Sequence, residues 1–258
     1  MKLITLKKGD CLELMKEIPD KSIDMILCDL PYGTTACKWD EIIPFDKLWD
    51  EYDRIIKNRG QIVLFASEPF TSKLIMSNVA KFREKITWIK HKPSNFASAK
   101  HRHLKYTEDI ITFGNCKGTY NRQKVKRESP RIKDAQKGKT LNKRTTRKTD
   151  EVSFQTDYAP RPWTVYDADF KNPMDYIEIP AVAGNAKEKT KHPTQKPVKL
   201  LEYLIKTYSN EGETILDNTM GSGSTGVAAI NLNRKFIGFE LDDEYFKIAQ
   251  DRIEKASK

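Results

Sequence analysis

The stretch ETILDNTMGSGSTGVAAINLNRKFIGFEL, residues 213–241, constrains the fold of this chain more than any other. It reads as a strand (213–219), a glycine-rich loop, a helix (223–233) and a second strand (235–241), and two strands are too few to bury both faces of a sheet. The unit must therefore join strands elsewhere, and the N-terminal half offers them. Short apolar runs KLITLKK (2–8), SIDMILCD (22–29) and GQIVLFAS (60–67) read as strands, separated by the amphipathic segments CLELMKEI (11–18) and FDKLWDEYDRIIK (45–57). A helix over EPFTSKLIMSNVAK (68–81) follows, then EKITWIKH (84–91) and TEDIITFG (107–114), two strands that predict a hairpin at one sheet edge. PVKLLEYLIKTYS (197–209) and DDEYFKIAQDRIEKA (242–256) read as helices flanking the C-terminal unit. The expected class is α/β, a mostly parallel sheet with crossover helices and no internal repeat.

Charge separates one segment from the rest. Residues 117–150 carry 13 Lys or Arg against Glu128, Asp134 and Asp150, a net +10 that equals the formal charge of the whole 258-residue chain. Such a block is either a solvated loop or a contact for a polyanion. The stretch after it, YAPRPWTVYDADFKNPMDYIEIP (158–180), reads as irregular structure, with Tyr158, Trp163 and Tyr166 either filling an unstacked site or packing the segment. Residues 115–189 are thus expected to be an insertion within one α/β domain made of 1–114 and 190–258.

No run approaches the roughly 18 to 20 apolar residues of a membrane helix. MKLITLKKGD has lysines and an aspartate where a signal peptide has its apolar core, so the chain reads as cytoplasmic with no membrane partner. Cys11, Cys28, Cys37 and Cys116 show neither C-x-x-C pairing nor zinc-ligand spacing with histidine, which predicts no metal site and no disulfide framework.

Gly221, Gly223 and Gly226 have G-x-G-x-x-G spacing, with Ser222 inside the turn and Glu240 ending the next strand. Backbone N–H groups at a helix N-terminus, with a carboxylate placed for ribose hydroxyls, suit a nucleotide-like ligand. The spacing also fits a dinucleotide loop or a purely structural turn, but not a triphosphate loop, because no lysine follows the last glycine. Two details favour S-adenosylmethionine over a nicotinamide dinucleotide. Asp217 ends the strand before the loop, where a carboxylate suits a cationic amino-acid moiety better than a pyrophosphate, and no second mononucleotide half follows. CDLPYG (28–33), straight after the apolar run IDMIL, is on its own a strand end with a Pro-Gly turn.

Together, DLPYG, HPTQKP (192–197), LDNTMGSGSTG and FIGFELD resemble, in this order, the amino-methyltransferases of DNA, specifically the β class that methylates adenine N6 or cytosine N4. The resemblance covers 1–114 and 190–258. It implies a Rossmann-like S-adenosylmethionine-dependent methyltransferase fold: a mostly parallel seven-stranded sheet with an edge hairpin and an inserted target-recognition region. The implied activity is site-specific methyl transfer from S-adenosylmethionine to adenine N6 in duplex DNA, by base flipping and direct transfer. Cytosine N4 is the alternative target, and Asp at the first motif position favours adenine.

The resemblance also carries residue roles. Asp29 supplies a side-chain acceptor for the target amino group, the backbone carbonyl of Leu30 or Pro31 a second, and Tyr32 stacks on the flipped base. Asp10 and Cys11 border the cofactor's adenine, Thr194 and Lys196 its amino-acid end, and Asp29, Asp217, Gly221, Ser222, Gly223 and Glu240 complete its site. Asp10 also reads as a helix N-cap, and Pro193 and Pro197 also read as positioning the next helix. Leu30 stands where the family has proline, and Asn218-Thr219 where it more often has Pro-Phe. DNA contacts are expected from Lys126, Arg127, Arg131, Lys143, Arg144 and Arg147. Partners implied are double-stranded DNA, a homodimeric copy and a cognate restriction endonuclease, in a prokaryotic or phage-infected cell. Outside this class stand an NAD-dependent oxidoreductase, resting on the glycine spacing alone, and a non-catalytic nucleic-acid-binding protein.

Overall fold

The computed structural model describes residues 4–34, 40–93, 95–115, 117–127, 169–186 and 188–258. In chain order the elements are β1 (Ile4–Lys8), α1 (Cys11–Met15), β2 (Ile23–Asp29), α2 (Phe45–Ile55), β3 (Ile56–Ala66), α3 (Phe70–Ser77), β4 (Phe82–Ile89) and β5 (Thr107–Gly114). They continue with β6 (Val125–Lys126), β7 (Phe170–Lys171), β8 (Tyr176–Glu178), α4 (Val198–Tyr208), β9 (Thr214–Asp217), α5 (Ser224–Asn231), β10 (Lys235–Glu240) and α6 (Asp243–Ala256). The chain divides into two compact units, 1–123 with 174–258, and 124–173.

In the larger unit eight strands form one sheet in the order β1-β10-β9-β2-β3-β5-β4-β8. Only β5 runs against the others, pairing antiparallel with both β3 and β4. The run IDMILCD of β2 shows why this is a two-faced sheet. Met25 and Leu27 enter one apolar cluster with Leu200, Leu204 and Ile205 of α4, and Ile26 and Cys28 enter a second with Leu48, Trp49 and Tyr52 of α2. A strand covered on both sides carries an unbroken apolar run, because side chains alternate between faces that are both dry. Helix α2 meets the sheet through Leu48, Trp49, Tyr52 and Ile55, a stripe of helical spacing.

The eighth strand corrects the expectation of seven, and corrects the irregular reading of its segment. Tyr176–Glu178 pairs parallel with β4, Ile177 is buried, and the Trp88 indole donates to the Ile179 carbonyl at 2.7 Å. Three residues between Pro173 and Pro180 give too short a run for periodicity to reveal. The β4/β5 hairpin is consequently covered by β8 rather than forming the sheet edge.

In the smaller unit β6 and β7 pair antiparallel, Val125 opposite Lys171 and Lys126 opposite Phe170, and the Arg127 N–H closes the ribbon on the Asp169 carbonyl at 2.8 Å. Arg131, Lys143, Arg144, Arg147, Tyr158, Trp163 and Tyr166 lie outside the described residues. Among the described residues no helix is long and apolar enough to cross a membrane.

Candidate active site

Chain order reverses between β2 and β9: β2 leads outward to β3, and β9 leads the other way to β10. Open α/β sheets hold ligands in the crevice outside the carboxyl ends of strands at such a point. A cavity of about 490 Å³ opens there, lined by residues that include Asp10, Cys11, the stretch 29–32, Glu108, Thr194, Lys196 and residues 217–222. That volume is in the range for a drug-sized or cofactor ligand.

Asp29 ends β2 inside this cavity and is held on both carboxylate oxygens. The Lys196 ammonium lies 2.5 Å from Oδ2, and the Tyr32 hydroxyl donates to Oδ1 at 2.7 Å. Lys196 is 3.4 Å from Glu108 as well, and Glu108 pairs with Lys90 at 2.8 Å. Two carboxylates and two ammonium groups thus alternate across the ends of β2 and β5. Burial raises the Asp29 pKa, with Lys196 opposing, whereas Lys196 and Lys90 together outweigh burial at Glu108 and lower it. Burial favours neutral Lys196, but the Asp29 and Glu108 carboxylates outweigh it and raise its pKa, so it remains a cation. Burial pushes the Tyr32 phenol well up, leaving it a neutral donor whose ring stacks on Phe70 at 5.0 Å.

The turn after Asp29 is fastened by a residue that no sequence motif marks. Asp40 accepts the backbone N–H groups of Tyr32, Gly33 and Thr34 at 2.7, 2.9 and 2.9 Å. At Gly33 φ is +64°, a conformation that favours glycine.

Across the crevice, Gly221 and Gly223 have φ of +51° and +75°. A Cβ on Gly221 would stand 2.9 Å from His192 Nε2, and one on Gly223 the same distance from the Ala249 Cα. Glu240 clasps the turn: Oε2 accepts Gly221 N–H at 2.8 Å, and Oε1 accepts Leu241 and Asp242 N–H at 2.9 Å. Arg252 of α6 binds it from behind, on the Ser222 carbonyl at 2.5 Å and on the hydroxyls of Ser222 and Ser224 at 3.1 Å. Asp217 is buried without a cation beside it among the described residues, and burial lifts its pKa to about 7 against the donors Thr225 and Thr219 N–H.

The remaining expected residues fall as follows. Asp10 lines the cavity and also caps α1, accepting from Leu12 and Glu13 N–H at 2.8 and 3.3 Å. Thr194 reaches the cavity from an exposed turn that Gln195 ties to Thr190 and Glu188, and Pro197 caps α4. Burial pushes the Cys11 and Cys28 thiols up, so both are protonated and neither is a thiolate nucleophile. Lys126 and Arg127 lie in the smaller unit. Sequence reasoning missed Glu108, Asp40, Arg252 and His192, whose pKa burial and neighbouring cations lower to about 4.

The strand order, the glycine turn at the head of α5 and the strand-end carboxylates at one crevice define a Rossmann-like methyltransferase fold. A family model described as DNA methylase matches residues 23–251, and the chain belongs to that family. It is 29 % identical to the DNA adenine methyltransferase YhdJ of Escherichia coli K12, the alignment covering 98 % of this chain and 83 % of that protein. It is 27 % identical to the type II methyltransferase M.HpaI of Haemophilus parainfluenzae, covering 95 % and 73 %. Its fold matches the crystal structure of an M1.HpyAVI–SAM complex with a TM-score of 0.63 at 24 % identity, over 96 % of this chain and 99 % of that one. Membership of a DNA methylase family sets aside the oxidoreductase and non-catalytic readings of the sequence.

Proposed function

We propose that this protein transfers a methyl group from S-adenosylmethionine to the exocyclic N6 of adenine in duplex DNA, with the base everted into the cavity between β2 and β9. The observation that carries the reading is the Asp29 carboxyl group, paired with the Lys196 ammonium at 2.5 Å and lining a cavity that Gly221 and Ser222 of the glycine turn also line.

The adenine amino group is a weak nucleophile because its lone pair is delocalised into the ring. Asp29, accepting one N–H, lets the nitrogen pyramidalise, and the carbonyl of Leu30 or Pro31 takes the other. The Asp29 carbonyl itself already accepts from the Thr219 hydroxyl at 3.1 Å. Tyr32 has one ring face on Phe70 and borders the cavity, which suits stacking on a flipped base. The proton shed by nitrogen after transfer is strongly acidic, so a carboxylate, here one whose pKa burial raises, accepts it.

The residues present fit the cofactor. At Gly221 and Gly223 the turn leaves no room for a Cβ, Asp217 is a buried carboxylate awaiting a cation, and Asn218 Nδ2 is a buried donor without a partner on a residue that lines the cavity. When bound, S-adenosylmethionine supplies an electrophilic methyl group on a sulfonium. Gly221, Ser222 and Gly223 with Asp217 would hold its cationic amino-acid end, together with Thr194. Glu240 would hold the ribose hydroxyls, and Asp10 with Cys11 would border the adenine. Lys196, expected on the amino-acid end, is engaged by Asp29 and orients the acceptor.

Incubation with methyl-labelled S-adenosylmethionine and duplex DNA, followed by digestion to nucleosides, tests the reading. N6-methyladenine is expected; label confined to N4-methylcytosine, or none in DNA, overturns it. Residues 115–189 are proposed as the target-recognition region, with Lys126, Arg127, Arg131, Lys143, Arg144 and Arg147 on phosphates. Such contacts make affinity fall with salt, and neutralising the four arginines should flatten that dependence. The activity belongs in the cytoplasm, where DNA and the cofactor are. A cognate restriction endonuclease is consistent with the type II designation of M.HpaI. A homodimer is the remaining proposed partner, checked by sedimentation.

A further inference from the structure

The segment joining β4 to β5 is a second positively charged stretch of the sequence, besides residues 117–150. From Lys90 to Tyr106 the chain has five Lys or Arg, three of its four histidines and no acidic residue. Lys92, Lys100 and Arg102 are exposed and form no ion pair among the described residues, while His91 faces Glu178 at 4.0 Å. Phe96 is 75 % exposed and Tyr106 43 %. The loop is nevertheless built. Lys90 N–H bonds the Tyr106 carbonyl at 2.8 Å across its base, Asn95 Oδ1 accepts Lys105 N–H at 2.6 Å, and Asn95 Nδ2 donates to the His103 carbonyl at 3.2 Å.

Its place in the sheet gives this surface meaning. Because β5 is antiparallel, its first residues lie beside the carboxyl end of β3, with Asp109 opposite Ala66. The loop therefore rises from the cavity end of the sheet, two residues before Glu108, which pairs with the lysine that holds Asp29. From β5 to β2 is two strand spacings, roughly 10 Å.

We propose that this loop engages the duplex being methylated: Lys92, Lys100 and Arg102 contact phosphates beside the everted nucleotide, and Phe96 enters the base stack there. Apolar side chains that wedge between base steps offset the cost of unstacking, and a base leaving the stack exposes an apolar face for such a ring. An exposed phenylalanine in a loop that carries cations and no carboxylate matches an anionic partner with an apolar interior. The proposal rests on the methyltransferase reading above and is separable from it, because wild-type methylation of plasmid DNA tests that reading first.

The experiment compares wild type, Phe96→Ala, Phe96→Tyr and the triple variant Lys92→Gln/Lys100→Gln/Arg102→Gln. S-adenosylhomocysteine binding by calorimetry serves as the control for folding. The triple variant should lower the slope of log affinity for plasmid DNA against log salt by about 2 to 3, near 0.9 per lost phosphate contact. Phe96→Ala should leave that slope intact yet slow methylation of plasmid DNA by about ten-fold or more, with Phe96→Tyr close to wild type. An unchanged slope in the triple variant overturns the proposal, as does an unchanged rate in Phe96→Ala. A sedimentation shift from dimer to monomer in Phe96→Ala overturns it too, assigning the ring to a second copy of this chain.

Discussion

Asp217 offers a quantitative test of how the cavity is charged. Its side chain belongs to a residue 3 % exposed, and burial lifts its pKa from the ordinary 3.8 to about 7. The folded state therefore holds this proton more tightly than the unfolded chain does. Stability from the group is fully present below about pH 4 and is lost as pH rises towards 7. At 1.36 kcal/mol per pH unit between the two values, the ionised carboxylate costs about 4 kcal/mol above pH 7 and about 1.6 kcal/mol at pH 5. Asp217→Asn keeps the shape and an oxygen for the Thr219 N–H at 3.2 Å, but carries no charge. After allowing about 1 kcal/mol for a weaker hydrogen bond, the ligand-free variant should be more stable than wild type by about 3 kcal/mol at pH 8. That gain should shrink by about 2 to 3 kcal/mol at pH 5. Urea unfolding of both proteins, at equal ionic strength and followed by tryptophan fluorescence, measures this. S-adenosylmethionine should bind the variant more weakly at pH 8, opposite in sign to the stability change, and should bind wild type more tightly as pH rises through 7. A variant no more stable than wild type at either pH refutes the assignment of an uncompensated buried carboxylate.

Two further outcomes are expected. Asp29→Ala should slow single-turnover methyl transfer by about 10²- to 10⁴-fold, the range for groups that manage protons at a reacting atom, and a rate within a few-fold of wild type would remove Asp29 from the chemistry. Lys196→Met leaves Asp29 without its cation beside Glu108, which keeps only Lys90, and should cost about 3 to 5 kcal/mol in urea unfolding. Adding Glu108→Gln should recover part of that loss, and no recovery would mean that the lysine acts through packing against Phe65 instead, whose ring centre is 5.1 Å away.

The parts of the site legible in the sequence are those fixed by local chemistry. Asp29, Tyr32, Asp217 and Glu240 stand at the ends of apolar runs, and a buried parallel strand can be read from such a run alone. The glycine turn is readable because Gly221 and Gly223 need φ values that other residues resist. Glu108 was hidden for a different reason. Its role depends on β5 running antiparallel, which brings the start of that strand, rather than its end, to the cavity. The expected β4/β5 hairpin contained this information, but only with the pairing of β5 against β3. Asp40 was hidden because three backbone N–H groups that converge on one carboxylate leave no mark in composition. Strand β8 was hidden by its length, since Ile177 and Ile179 alternate inward over too few residues to stand out.

The departures from the family pattern at Leu30, Asn218 and Thr219 have a common physical basis. The β2–β9 ladder pairs only Met25 with Ile215 and Ile26 with Leu216, and beyond it the strands part to open the crevice. Past that point side chains hold the two ends together. Asn218 Oδ1 accepts the Tyr52 hydroxyl at 2.7 Å and the Cys28 thiol, and the Thr219 hydroxyl bonds the Asp29 carbonyl at 3.1 Å. Proline and phenylalanine at 218 and 219 have no groups for these bonds. Leu30 keeps the backbone carbonyl that an acceptor role needs, and its side chain, 4 % exposed, adds apolar volume to the cluster shared with Tyr52 and Phe70. Asp29, the proposed acceptor, is thereby tied through Thr219 to the residue that leads into the glycine turn. A shift of that turn on ligand binding would be transmitted to the Asp29 backbone through one hydroxyl, which would couple the proposed methyl-donor side of the cavity to the proposed acceptor side.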